Sequence, residues 1–277
     1  MILLAILIGT VAAGVGSVWL AALLSFAMLA RFTQHMLSLA AGALLATAFM
    51  HLLPEAFESQ ASAQELFAML LAGLVFFFLL DKAELWHHGH EHHHAESHGS
   101  AHPHDHGHDH GHAAHAGHAH GADHHGHRSG GWAVLAGDSV HAFGDGILIA
   151  SAFVADMRLG VVTALAVLAH EVPHHMGDLV VLRQTSGTHR AALVKVSLAG
   201  TVTALGGTVG YLLVAQLEDF LPYFLVAASS SFVYVALADL IPQLQKRLGL
   251  RETAAQIGWL LVGIGLVTLV SSMAHGH

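Results

Sequence analysis

Apolar runs long enough to cross a bilayer recur along the whole chain, separated by short polar stretches. An α-helix rises about 1.5 Å per residue, so about 20 apolar residues span the ~30 Å hydrocarbon core. Runs of this length fall at about 2–30, 37–57, 65–85, 132–155, 159–182, 192–216, 221–243 and 255–273. The pattern predicts an all-α integral membrane protein with eight transmembrane helices.

Composition agrees with this class. The 277 residues are 54% hydrophobic and only 10% charged, whereas soluble domains carry about a quarter charged residues. The absence of Cys excludes disulfides and thiolate metal sites. The first apolar run has no basic segment before it and is about twice as long as a signal-peptide core, so we expect a retained helix.

Basic residues lie on one side of the predicted helices. The loops after spans one, three, five and seven, with the adjoining helix ends, hold every Lys and Arg except Arg158, of 10 in total. The positive-inside rule places these loops in the cytoplasm and both termini outside, in a plasma or inner membrane.

A His-rich segment of low complexity, 86–131, joins spans three and four and holds most of the 28 His. It contains almost nothing apolar, so it cannot bury a core and is predicted to be disordered without ligand. Because neutral imidazole binds transition metals, we expect a weak, multivalent metal binder in the cytoplasm, with a plain solvated linker as the alternative. Its candidate ligands include His88, His90, His92, His93, His94, His104, His106, His108, His110 and His112.

Two spans share a short pattern near their ends. His51-Leu-Leu-Pro-Glu55 closes span two and Asp239-Leu-Ile-Pro-Gln243 closes span seven, and these spans run in opposite directions on the predicted topology. Such an echo indicates an inverted repeat of spans one to three and six to eight, with chance resemblance as the alternative. We therefore divide the chain into 1–85 (spans one to three), 86–131 (the His-rich loop), 132–184 (spans four and five) and 185–277 (spans six to eight).

Spans four and five carry ionisable residues that share helix faces. Spacings of three and four residues place side chains on one stripe of a helix. The residues concerned are Asp138, His141 and Asp145 in span four, and His170, Glu171, His174, His175 and Asp178 in span five. Each such group costs roughly 3 kcal/mol at membrane depth, so a functional site facing the protein interior is the default interpretation.

The two sets of ionisable residues are predicted to lie at the same depth in the membrane. Counted from their predicted helix ends, His141 and His170 each lie about 14–17 Å into the membrane.

Pro173 removes a backbone donor, so we expect a kink that frees the carbonyl of Ala169. Imidazole and carboxylate ligands favour Zn, Fe, Mn, Co or Cd over Ca or Mg. The alternative for any single residue is a satisfied hydrogen bond between helices.

These motifs resemble the ZIP (Zrt- and Irt-like protein) family of divalent metal transporters over almost the whole chain. His141-Ala-Phe-Gly-Asp145-Gly is similar to its H-N-x-x-D-G motif, and the stretch 170–178, HEVPHHMGD, to its H-E-x-P-H-E-x-G-D motif. The resemblance implies a 3+2+3 helix arrangement, transport of a divalent metal, zinc foremost, towards the cytoplasm, and commonly a homodimer. It implies a transport site made of His141, Asp145, His170, Glu171 and His174.

The chain departs from the family pattern at two positions. Ala142 replaces the usual Asn, and His175 replaces the second Glu of the fifth-span motif. Span six has no carboxylate either, which puts a second metal position beside the first in doubt, and the added imidazole favours softer ions. We expect secondary metal-binding or pathway roles for Asp138, His175, Asp178, His51, Glu55 and Asp239. The expected partners are divalent metal ions and the bilayer, and no nucleic acid.

A zinc metalloprotease within the membrane is the main alternative, since the stretch 170–174 satisfies H-E-x-x-H. Pro173 within the motif speaks against it, and no third-ligand motif follows. A di-iron enzyme would need further His boxes, and a cation-efflux exporter would end in a cytoplasmic domain. We expect a transporter and not an enzyme, and the lack of a P-loop predicts facilitated diffusion or ion coupling.

Deletion of residues 88–127 tests the role of the His-rich segment. We expect metal uptake into proteoliposomes to continue, with a changed apparent affinity, because the loop binds metal outside the membrane path. Radiometal flux compared with the intact chain measures this. Complete loss of flux would place the loop in the path.

Overall fold

The computed structural model describes residues 1–27, 31–89, 130–186, 188–244 and 249–275, and in these ranges the chain is almost entirely helical, with no β-strand. The helices are α1 (Ile2–Val11, Ala12–Gly16 and Ser17–Ala27), α2 (Arg31–Thr47, Ala48–Leu52 and Leu53–Phe57), α3 (Ala63–Gly89), α4 (Gly130–Ala155), α5 (Met157–Ser186), α6 (His189–Gln216), α7 (Glu218–Phe220, Leu221–Tyr234, Val235–Leu240 and Ile241–Leu244) and α8 (Leu250–His275).

Six of these helices, α1, α2, α3, α6, α7 and α8, are long and apolar enough to cross a membrane. The predicted all-helical membrane class is therefore confirmed. Helices α4 and α5 have 26 and 30 residues, which exceeds the length a bilayer requires. They are less apolar because they carry the ionisable residues described above.

The end of α3 differs from the predicted start of the His-rich segment. The helix continues through Gly89, so residues 86–89, including His88, extend it by about one turn. The other candidate ligands of the segment lie outside the described residues, namely His90, His92, His93, His94, His104, His106, His108, His110 and His112.

Helix α5 lies at the centre of the bundle, where it contacts α1, α2, α4, α6 and α8. Helix α4 packs extensively along α6, and α2 along α8. The periphery is formed by α3 and α8, whose apolar segments are only 11% buried, compared with 67% for α2. Exposed side chains such as Phe67, Leu71 and Phe76 on α3 form the apolar surface that a bilayer requires.

Glycines allow the helix backbones to approach closely. A Cβ at Gly206 of α6 would collide with the carbonyl of Phe143 on α4, and one at Gly42 of α2 would collide with the carbonyl of Leu260 on α8. Membrane helices associate through such contacts because lipid provides no hydrophobic force between them. Small residues therefore fix the position of α4, which carries three of the eight ionisable residues.

The echo between spans two and seven corresponds to a shared local geometry. In α2 the segment Ala48–Leu52 is π-helical and is followed by Pro54, and in α7 the segment Val235–Leu240 is π-helical and is followed by Pro242. Proline cannot donate to the preceding turn, and a widened turn is one way to accommodate the missing bond. The five-residue pattern thus marks equivalent distortions in two helices.

Alanine at Gly42 and at Gly258 gives a matched test of helix approach. We expect Gly42→Ala to destabilise the protein by about 1–3 kcal/mol through overpacking. Gly258 of α8 has open space around it, so Gly258→Ala should be neutral or stabilising by up to about 1 kcal/mol. Thermal unfolding in detergent measures both, and equal midpoints for the two variants would contradict the close approach.

Candidate metal centre

Four side chains of α4 and α5 converge on one point. His141, Asp145, His170 and Glu171, here called the quartet, each contribute a ligand atom, and these atoms all lie within 4.8 Å of one another. Residues 141 and 145 are one turn apart on α4, and 170 and 171 lie on the facing side of α5. In the structure, as predicted, α4 and α5 bring these side chains next to one another.

Separations within the quartet are those of a tetrahedral metal site. His170 Nε2 lies 3.3 Å from Asp145 Oδ2 and 3.2 Å from Glu171 Oε1. His141 Nε2 lies 3.4 Å from His170 Nε2, 3.4 Å from Glu171 Oε1 and 3.8 Å from Asp145 Oδ2. Four ligands placed tetrahedrally at about 2.0–2.1 Å from a zinc ion are about 3.3–3.4 Å apart. The arrangement needs little adjustment to hold such an ion.

Two carboxylate oxygens of the quartet are buried without a hydrogen bond. Asp145 Oδ2 and Glu171 Oε1 have no donor, although both side chains are only 3% exposed. A buried carboxylate that lacks a partner costs roughly several kcal/mol. A divalent cation bound between these oxygens would supply the missing partner.

The ring of His170 is held by its own helix. His170 Nδ1 lies 3.3 Å from the carbonyl oxygen of Ala166. Because a carbonyl only accepts, this bond forms when Nδ1 carries the proton, and in the neutral ring the lone pair of Nε2 then faces the quartet. A second partner that fixes the imidazole tautomer is typical of metal-ligating histidines.

A second group lies further along the same two helices. Asp138, His175 and Asp178, here called the trio, also have ligand atoms within 4.8 Å of one another. His175 Nδ1 lies 3.4 Å from Asp178 Oδ2, and His175 Nε2 lies 3.0 Å from Glu171 Oε2. Glu171 thus has one oxygen in the quartet and the other beside the trio.

His174 lies with the trio and not within the quartet. Its Nε2 is 3.4 Å from Asp138 Oδ1 and 3.7 Å from Asp178 Oδ2, whereas its ring centre is 5.9 Å from that of His141. The family resemblance groups His174 with His141 and Asp145. The geometry instead places it between the two groups, on the side of the trio.

Exposure shows which side of the centre is open. The side chains of His141 and His174 are 30% and 41% exposed, whereas that of His170 is 3% exposed. Both exposed rings lie towards the start of α4 and the end of α5. Towards the short α4–α5 connection the helices are filled by fully or almost fully buried apolar side chains, including Ile149, Phe153 and Val167.

The other predicted pathway residues lie apart from both groups among the described residues. His51 Nδ1 is 3.5 Å from Ser271 Oγ of α8. Glu55 lines a cavity of about 310 Å³ together with Glu58, Pro222 and Leu225. The side chain of Asp239 lies outside the part of the chain that the structure describes.

A family model described as ZIP Zinc transporter matches residues 1–271. The chain belongs to this family.

Several relatives share about half of the ZIP chain. It is 35% identical to human zinc transporter ZIP4 over 134 residues, which is 48% of this chain and 20% of that protein. It is 32% identical to zinc transporter foi of Drosophila melanogaster over 143 residues, 50% of this chain and 20% of that protein. Zinc transporter ZIP10 of Danio rerio is 32% identical over 147 residues, 50% and 17% respectively. The match thus spans about a fifth of each relative's length.

The metalloprotease alternative is not favoured. A protease with H-E-x-x-H would bind one zinc ion through His170 and His174 and keep the Glu free as a general base. In this ZIP chain Glu171 points into the quartet and His174 faces Asp138. Proline at 173 lies inside the continuous helix α5.

Two features of α5 were not predicted from the sequence. One is the bond of His170 to the Ala166 carbonyl, which the spacing of four residues could have indicated. The other lies outside the centre, where Thr163, two turns before His170, is buried with no partner for its hydroxyl. A lone Thr in an apolar run gives no signal of its own, because threonine often bonds to its own helix.

Proposed function

We propose that this ZIP protein transports divalent transition-metal ions, zinc foremost, through the quartet and towards the cytoplasm. The tetrahedral spacing of two imidazoles and two carboxylates carries the proposal. The relatives named as zinc transporters support it. The position of the quartet, within helices that pack inside an apolar bundle, supports a path for the ion through the membrane.

The ligand set favours zinc over lighter cations. Zinc accepts nitrogen and oxygen ligands in tetrahedral sites, whereas Ca²⁺ and Mg²⁺ require six or more oxygens or retained waters. Fe, Mn, Co and Cd accept the same donors, so they belong to the candidate substrates. The His-rich loop, as a weak cytoplasmic metal binder, is part of the proposal.

All eight helices cross the membrane in the proposed topology. The lengths of α4 and α5 support two further spans, and the matched π-helical turns of α2 and α7 support an inverted repeat around this central pair, in a 3+2+3 arrangement. The distribution of Lys and Arg places both termini outside and the 86–131 segment inside, in a plasma or inner membrane. A homodimer is proposed on the family resemblance alone.

In this orientation the exposed rings of His141 and His174 face the cytoplasmic side. The buried side chains near the α4–α5 connection close the outer side. Glu55 and its cavity lie near the outer end of α2, where carboxylates attract cations, so we place the entrance there, with His51 and Asp239 further along the path. The inward direction itself rests on the resemblance to the ZIP family.

Replacing Asp145 tests the quartet as the transport site. We expect Asp145→Asn to reduce zinc uptake into proteoliposomes by more than about tenfold, because the neutral amide removes one anionic ligand while keeping the volume. Uptake across Zn, Fe, Mn, Co and Cd, with Ca and Mg as negative comparisons, also ranks the substrates.

The matched control is Asp219→Asn, the same change at an exposed carboxylate in the first turn of α7. It should transport like the unchanged protein. Unchanged flux in Asp145→Asn, with normal folding, would remove Asp145 from the site.

Single cysteines test the orientation, since the natural chain has none. Gln60 lies in the connection between α2 and α3 and Gly249 lies before α8, and both are exposed. We expect a membrane-impermeant maleimide applied to intact cells to label Gln60→Cys and to label Gly249→Cys only after lysis. The opposite pattern would invert the topology.

A further inference from the structure

The trio contains buried polar atoms that the protein itself does not satisfy. Neither carboxylate oxygen of Asp138 accepts a hydrogen bond, and His174 Nε2 stays 3.4 Å from Oδ1. Asp138 is 4% exposed and His175 is 0% exposed. Buried polar groups in folded proteins almost always have partners, so a group without one needs an explanation.

Charge points to the missing partner. The quartet and the trio contain two carboxylates each, so with neutral imidazoles the two groups together carry four negative charges. One divalent ion in the quartet leaves two of these charges uncompensated. A second divalent ion in the trio neutralises the rest, and buried charges require such compensation.

The geometry of the trio suits the same class of ion. The 3.4 Å between His175 Nδ1 and Asp178 Oδ2 equals the ligand separation of about 3.3–3.4 Å in a tetrahedral zinc site. Asp138 approaches from α4, so the ligands come from both helices. One imidazole and two carboxylates form a donor set that zinc accepts, with a fourth position open to water or substrate.

Glu171 connects the trio to the quartet. When His175 binds an ion through Nδ1, its proton is on Nε2, which lies 3.0 Å from Glu171 Oε2. An ion in the trio therefore polarises that N–H group towards Glu171. The carboxylate then donates less charge to an ion held at its other oxygen, Oε1, and the quartet binds its ion less tightly.

We propose that Asp138, His175 and Asp178 form a second site for a divalent transition metal, which receives the ion from the quartet as it leaves. The proposal rests on the proposed transport function. The open side of the centre supports this order, because His174, which lies beside Asp138 and Asp178, is 41% exposed. An ion moving from the buried quartet to that side passes the trio.

Zinc counting on the full-length protein tests the second site. Purified protein in detergent is loaded with zinc and then washed with a weak chelator, and the retained metal is counted by mass spectrometry. We expect Asp138→Asn and Asp178→Asn each to retain one zinc ion fewer per chain than the unchanged protein. Asp145→Asn should likewise lose one. The His-rich loop is the same in every sample, so its contribution cancels in the difference.

Controls separate loss of a ligand from loss of structure. Asp219→Asn should retain as much zinc as the unchanged protein, and helical circular dichroism and the gel-filtration profile should be the same for all variants. If Asp138→Asn does not fold, Asp178→Asn decides the question, since its side chain is 13% exposed and easier to replace.

The two proposals fail in different ways. Equal zinc counts in the unchanged protein, Asp138→Asn and Asp178→Asn overturn the second site whatever the flux. Absence of zinc uptake by the unchanged protein in proteoliposomes overturns the transport function whatever the counts. Lower counts together with uptake that slows by about tenfold or more in the trio variants support the second site on the path.

Discussion

Everything in this bundle depends on holding carboxylates and imidazoles against one another inside an apolar surrounding. A carboxylate removed from water costs far more than one packed side chain contributes. The helices therefore have to place each charge within about 3–4 Å of a compensating group. Helices α4 and α5 meet this requirement by facing each other along two successive groups, the quartet and the trio, with Glu171 shared between them.

The glycine contacts serve this electrostatic requirement. Phe143 lies between His141 and Asp145 on α4, and its carbonyl contacts Gly206 of α6. A bulkier residue at 206 would shift the segment that carries both of these side chains. Helix α6 contributes no carboxylate to the centre, and its small residues instead set the depth and tilt of α4. The helix that positions α4 is therefore not one of the two helices that carry the ionisable side chains.

Sequence patterns predicted the helices well because the length of an apolar run directly reflects bilayer thickness. They also predicted that His141 and His170 meet, since depth follows from counting residues along a helix. They could not predict the position of His174 beside Asp138, or the division of Glu171 between two groups. Both depend on how α5 is rotated about its axis relative to α4, and spacing within one helix leaves that rotation open. Tertiary packing decides it.

The π-helical turns are a second feature that the sequence located but whose geometry it could not predict. The shared pattern around Pro54 and Pro242 indicated equivalent positions, but a widened turn depends on which carbonyl finds another donor. The overlap of α3 with the His-rich segment has a similar cause. A helix that is already formed can add a further turn of polar residues at little cost, because propagation is easier than nucleation.

The apolar layer beside the α4–α5 connection has a kinetic consequence. Ile149, Phe153 and Val167 are fully or almost fully buried there, and a bare divalent ion crosses an apolar layer very slowly because its hydration is lost without replacement. Under the proposed transport function, the helices therefore have to separate at this layer in every cycle. Motions of packed helices take microseconds to seconds, so we expect the turnover number of a carrier, which rises steeply with temperature, unlike the conductance of an open pore.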